Sequence, residues 1–150
     1  MKVRHSRDVA AALAAGAPVV ALESTIYAFG LPYPQNVELG WKLARTIAAA
    51  GAEAKTFAVI DGELKVGLSD EELDRIARAN VRYREEASAG WLSDRGKVFI
   101  TLGEPDQVFE PQLNDMSRNR QLIWVYQAIN LQLTFYDQTG TGKWRLTQSS

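Results

Sequence analysis

At 150 residues, 46% of them apolar and 23% charged, the chain has the make-up of a globular protein of one domain or two very small ones, and two separate cores of about 75 residues each would both be marginal. Its net charge is −1, with nine Lys/Arg against ten Asp/Glu in residues 1–78 and eight against eight in residues 79–150, so neither half has the basic balance of a phosphate-tracking nucleic-acid surface. Without cysteine, and with His5 as its one histidine, it can form no disulfide, thiolate zinc site or cysteine nucleophile, and multi-histidine metal sites and Ser-His-Asp chemistry are all but excluded.

In chain order, Ser6 caps a short helix through Val9, Ala10, Leu13 and Ala14, which Gly16 and Pro18 end. Val19-Val20-Ala21-Leu22 is a continuous apolar run suited to a buried strand. Gly30, Pro32 and Pro34 force a loop, and Asn36 is the expected cap of a helix whose apolar face holds Val37, Trp41, Ala44 and Ala48. Gly51 stops that helix, and Thr56–Ile60 is a second buried strand closed by Asp61-Gly62. Strand, helix, strand with short connections is a βαβ unit, which requires the two strands to be parallel. Ser69-Asp70-Glu71-Glu72 is a capping box, and the spacing of Leu73, Ile76, Asn80 and Tyr83 extends the helix behind it to about Glu86.

After Trp91 the pattern changes. Val98, Ile100 and Leu102 alternate with Lys97, Phe99 and Thr101, which predicts a strand. Gly103–Asp106 turns the chain, residues 110–120 read as a polar loop, and Leu122–Tyr126, Leu131–Tyr136 and Lys143–Leu146 are further strands. Nine of the 14 aromatic residues lie after position 78, as suits a small sheet that builds its core from large side chains. The expected fold is mixed α and β: a truncated βαβ layer over residues 1–78, a junction helix, then a small antiparallel sheet of three or four strands within residues 79–150.

Val19–Ile26, Gly30-Leu31-Pro32-Tyr33-Pro34-Gln35-Asn36-Val37-Glu38, Ala58–Gly62 and Lys65–Ser69 stand in an order that resembles the amino-terminal segment of pseudouridine-5′-phosphate glycosidases, over roughly residues 10–78. The resemblance implies a metal-dependent cleavage of the bond between ribose 5-phosphate and uracil, with a lysine forming a Schiff base and a glutamate donating a proton. It maps the donor role onto Glu23. The same resemblance places the Schiff-base lysine, the metal-binding aspartate and most phosphate contacts downstream of the matched stretch, so Glu23 is expected to be inactive here; Lys65 is no substitute nucleophile. Phe29 stands where the family usually has histidine. Manganese is expected only if glycosidase activity persists; otherwise no cofactor is.

Gly90-Trp91-Leu92-Ser93-Asp94-Arg95-Gly96, Lys97–Ile100, Gly103-Glu104-Pro105-Asp106, Trp124-Val125-Tyr126, Phe135-Tyr136-Asp137 and Trp144-Arg145-Leu146 resemble the GWxTD domain over roughly residues 79–147, with serine at 93 in place of threonine. Trp91 is expected to anchor the motif in the core, Ser93 and Asp94 to satisfy backbone N–H groups and Arg95 to pair with a carboxylate. The Glu104 and Asp106 carboxylates are a weak candidate for a hard cation.

Truncating the parent sheet should leave strand edges and an apolar helix face that must be covered by the back half, by self-association or by a protein partner. The expected function is therefore a non-catalytic interaction protein, for example inhibitor- or antitoxin-like. The alternatives are residual C-glycosidase activity centred on Glu23 and a designed composite without selected function. No run approaches a membrane span and no leader-like apolar segment follows the N-terminus, so the expectation is a cytoplasmic chain with neither membrane nor nucleic acid as partner.

Overall fold

The computed structural model of the chain describes residues 2–29, 31–86, 88–110 and 120–149. Gly30 lies outside them, as does all of the expected 110–120 loop except its two end residues. There are two units, Met1–Arg78 and Ala79–Ser150.

In the first unit, β1 (Lys2–His5) precedes α1 (Arg7–Ala14), whose cap Ser6 accepts the Val9 N–H at 3.3 Å. β2 (Val19–Glu23) and β3 (Glu53–Ile60) pair in parallel, as a βαβ unit demands. Between them lie α2 (Thr25–Ala28), which the loop-forming Gly and Pro residues concealed, and α3 (Gln35–Ala49). Asn36 is not the cap of α3 but a buried residue of its first turn. Its amide donates to the Tyr27 carbonyl at 2.7 Å and its carbonyl oxygen accepts the Val37 N–H at 2.9 Å, tying α2 to α3. Gly40 completes that junction, because a Cβ there would lie 2.1 Å from the Tyr27 hydroxyl.

Asp61-Gly62 does more than close β3. Both residues have positive φ, 52° and 72°, the backbone of a tight hairpin turn, and β4 (Glu63–Val66) returns antiparallel to β3. β1 then adds in parallel to β4, so the sheet runs β1-β4-β3-β2. β1 escaped the sequence reading because it is four residues long, exposed and half charged.

The helix behind the capping box is α4 (Asp70–Arg82). The box is reciprocal: the Ser69 N–H reaches Glu72 Oε2 at 2.9 Å and the Glu72 N–H reaches Ser69 Oγ at 3.2 Å. The boundary between the units falls within α4, which stops four residues short of the expected Glu86. Glu85 instead exchanges backbone hydrogen bonds with Ser88 in an isolated bridge.

In the second unit, a 3-10 turn (Gly90–Leu92) leads into α5 (Asp94–Leu102). This corrects the strand expected over 97–102. Six residues are too few to tell period two from period 3.6, and the deciding signals lie outside the run. Ser93 Oγ accepts the Gly96 N–H as an N-cap, and Gly103 at φ 83° ends the helix. The sheet still has four strands, because β5 (Gln107–Phe109) stands in for the misread segment beside β6 (Arg120–Tyr126), β7 (Leu131–Asp137) and β8 (Arg145–Ser149), antiparallel throughout in the order β5-β6-β7-β8. Its core is aromatic. Trp124 meets Phe135 edge-on at 5.0 Å and Tyr83 at 5.4 Å, and Tyr83 meets Phe99 at 5.3 Å.

Candidate functional site

Glu23 ends β2, a strand short enough that the chain turns into α2 two residues later. Its carboxylate is exposed rather than desolvated, and its side-chain hydrogen bond comes from the Thr25 hydroxyl at 3.3 Å. Register sets Glu23 beside Phe57, Phe57 beside Val66 and Val66 beside His5, so these four residues share one face of the sheet. Lys65 neighbours Val66 and points to the opposite face, where its ammonium binds Glu72 at 3.2 Å. The acid and the nearest lysine of the resembled motifs are therefore kept apart by the sheet itself. Phe29, at the position of the family's histidine, caps the end of α2 and is half exposed.

Among the described residues there is no group of three or more His, Asp or Glu side chains arranged to hold a metal ion. The Glu104–Asp106 turn offers no cation cradle either. Glu104 pairs with Arg82, and Asp106 Oδ2 accepts the Gln127 N–H at 2.6 Å.

Nearby, burial pushes the Tyr27 phenol above its ordinary pKa, against the opposing effect of a hydrogen bond with Thr56. The phenol is thus neutral at physiological pH and serves as packing for α3.

In the second unit the Gly90–Gly96 motif fastens the last strand to α5. Ser93 is buried; its hydroxyl donates to the Gly90 carbonyl at 2.7 Å while capping Gly96. Asp94 Oδ2 accepts the Leu146 N–H at 3.0 Å, and its Oδ1 faces Arg145 at 3.7 Å. Arg95 lies over the rings of Tyr83 and Trp144, at 5.7 and 5.5 Å, and its guanidinium sits 3.8 Å from Glu85 Oε1. Burial draws the Arg95 pKa down while the Glu85 carboxylate opposes it. Glu85, with a side chain only 2% exposed, also accepts the Trp144 N–H at 3.0 Å. Ser93, Asp94 and Arg95 thus take the roles of cap, backbone acceptor and ion-pair partner.

Two carboxylates central to this unit carry roles the sequence reading missed. Glu85 falls within the stretch that the spacing predicts as helix, and no local signal distinguishes it. Asp137 is fully buried and organises the following loop; the Asp-x-Thr-Gly pattern of an Asx turn was the available sign. Removing the Ser93 cap should cost the second unit about 1–2 kcal/mol. Urea unfolding of Ser93→Ala checks this, and a midpoint equal to that of the parent would show the cap to be idle.

Residues 8–91 match the family described as indigoidine synthase A like protein, and residues 72–149 match the GWxTD domain. Curated relatives include the pseudouridine-5′-phosphate glycosidase of Cupriavidus pinatubonensis, 52% identical over 79 residues, covering 53% of this chain and 25% of that protein. The enzyme of the same description from Lysinibacillus sphaericus is 50% identical over 97 residues, or 64% of this chain and 32% of that protein. The chain thus spans about a quarter to a third of the length of these relatives. Among solved structures, a prealnumycin C-glycosynthase in complex with ribulose 5-phosphate aligns with a TM-score of 0.44 at 32% identity, over 51% of this chain and 24% of the other. An indigoidine synthase A-like protein from Thermotoga maritima aligns with a TM-score of 0.42 at 22% identity, over 67% and 30%. The chain belongs to the indigoidine synthase A-like family over residues 8–91 and to the GWxTD domain family over residues 72–149.

Proposed function

We propose that this chain is a non-catalytic association protein, in which the indigoidine synthase A-like segment serves as a surface for binding a protein chain. The observation that carries the reading is the outer edge of β2, which has no partner strand among the described residues. It is the terminal strand of its sheet, apolar from Val19 to Leu22, and neither a charge nor a proline interrupts it before Glu23. Apolar exposure elsewhere in the same unit supports it. Leu31, Tyr33, Leu39 and Trp41 each leave more than a third of their surface open, and on the helix face expected to lie in a core Trp41 and Ala48 are exposed while Val37 is buried.

Against catalysis stand the solvated Glu23 carboxylate and the engagement of Lys65 with Glu72 across the sheet. A proton donor without a nucleophile beside it loses most transition-state stabilisation. Incubation with pseudouridine 5′-phosphate and manganese should release no uracil above a protein-free blank. Uracil release that disappears in Glu23→Gln would reverse the reading, and a well-folded monomer that retains no protein in a pull-down would remove its association half.

A further inference from the structure

We infer that the occupant of the β2 edge is a second copy of this chain, joined by antiparallel β2–β2 pairing about a two-fold axis at Ala21; this rests on the association reading above. The direction of the backbone groups sets the register. The Pro18 carbonyl accepts from the Glu53 N–H and the Ser24 N–H donates to the Phe57 carbonyl, so the even-numbered residues of β2 point their backbone groups at β3. Backbone groups alternate along a strand, so Val19, Ala21 and Glu23 present theirs to the free edge.

Antiparallel strands exchange two hydrogen bonds at every second opposed pair. With Ala21 opposite Ala21 of the second copy, Val19 falls opposite Glu23 and Glu23 opposite Val19. Each of these is a hydrogen-bonding pair, and the three positions supply about six backbone bonds across the axis. Val20 falls opposite Leu22 at the intervening positions, with apolar side chains on both sides. The two Glu23 carboxylates end up at opposite ends of the ribbon, about 13 Å apart at the usual strand rise, which is beyond the screening length at physiological salt. The strand is therefore complementary to itself in hydrogen bonding, packing and charge, as an isologous interface requires.

Two of the other three edges are guarded. β1 carries Lys2 and Arg4 in four residues, which disfavours pairing with its own copy. β5 has three residues. β2 has no such protection, and Val20 and Ala21 are exposed along it.

Ala21 sits on the axis, so a charge placed there meets its own image. Sedimentation or light scattering of the full chain should give twice the protomer mass for the parent. Ala21→Lys and Ala21→Glu should each raise the dissociation constant at least about tenfold, equivalent to about 1.4 kcal/mol. An equimolar mixture of the two should restore the dimer, which variants that merely fail to fold would not do. A monomeric parent at about 100 µM overturns the self-pairing, as does a dimer indifferent to charge at position 21; a Kd of that order is the weak end of specific association. A pull-down with the monomer then decides separately whether the association reading falls too: retention of another protein keeps that reading, and its absence removes both.

Discussion

Gly96→Ala should destabilise the second unit by about 3 kcal/mol or more, the upper end of what over-packing a tight contact costs. A Cβ on Gly96 would lie 1.9 Å from the Gly90 carbonyl oxygen. Gly90 has no room to retreat, because a Cβ on it would in turn lie 2.2 Å from the Ala79 carbonyl oxygen, 2.6 Å from that of Asn80 and 2.8 Å from the Arg84 nitrogen. All of these are backbone atoms, so no side chain can swing aside. Neither glycine has positive φ, so the requirement is for space and not for conformational freedom. The two glycines let the start of α5 close on the turn before it, and with Ser93 between them they explain the spacing of the motif. For a unit of this size the loss corresponds to roughly 12 °C or more in melting temperature. Lys97→Ala, on the exposed face of the same helix, is the control and should move the melt by a small fraction of that. A Gly96→Ala variant melting beside the control would show that the contact relaxes at little cost.

Asp137→Ala should cost about 3 kcal/mol at neutral pH, since hydrogen bonds to a charged acceptor are worth about 1.5–3 kcal/mol each and water replaces only part of them in an exposed loop. The carboxylate is fully buried and accepts the N–H of Thr139 at 3.2 Å, of Gly140 at 2.9 Å and of Gly142 at 2.8 Å, with the Thr139 hydroxyl at 3.1 Å. Arg120 stands 3.9 Å away. Burial pushes the Asp137 carboxyl pKa up, but the Gly142 N–H, the Thr139 hydroxyl and N–H and the Gly140 N–H together outweigh it, and the net shift is downward. A carboxyl with a lowered folded pKa stabilises fully above its unfolded value of about 3.9 and loses that contribution as pH falls through the lower folded value. The stability gap between parent and Asp137→Ala should therefore be wide at pH 7 and shrink in strong acid. Urea unfolding at both pH values measures it, and a gap of equal size at each would show that the charge plays no part.

The features legible in the sequence are those carried by residues a few positions apart. Ser6 and the Ser69–Glu72 box set helix starts through bonds spanning three residues, and the short connections around α3 forced β2 and β3 to run parallel. Both family memberships were likewise readable, because each rests on strings of adjacent residues. Misreadings came where a local pattern had two solutions. The alternation from Lys97 to Leu102 suited either period, and the Ser93 cap with Gly96 settled it as a helix. Asp61-Gly62 was a hairpin signal whose partner strand, Glu63–Val66, carries two charges and so hid its nature.

For the candidate site, the sequence alone determined the identity of Glu23 and its family match. Only the tertiary structure decided that Glu23 is solvated, that Lys65 faces the other side of the sheet, and that Glu85 and Asp137 are, among the described residues, the carboxylates withdrawn from water. Strand edges belong to the same class. That β4 is enclosed and is not an edge strand depends on β1 adding to it, a contact between residues about 60 positions apart. Caps, turns and motifs are written in neighbouring side chains; burial and pairing depend on what distant segments bring alongside, and no stretch of chain specifies its own surroundings.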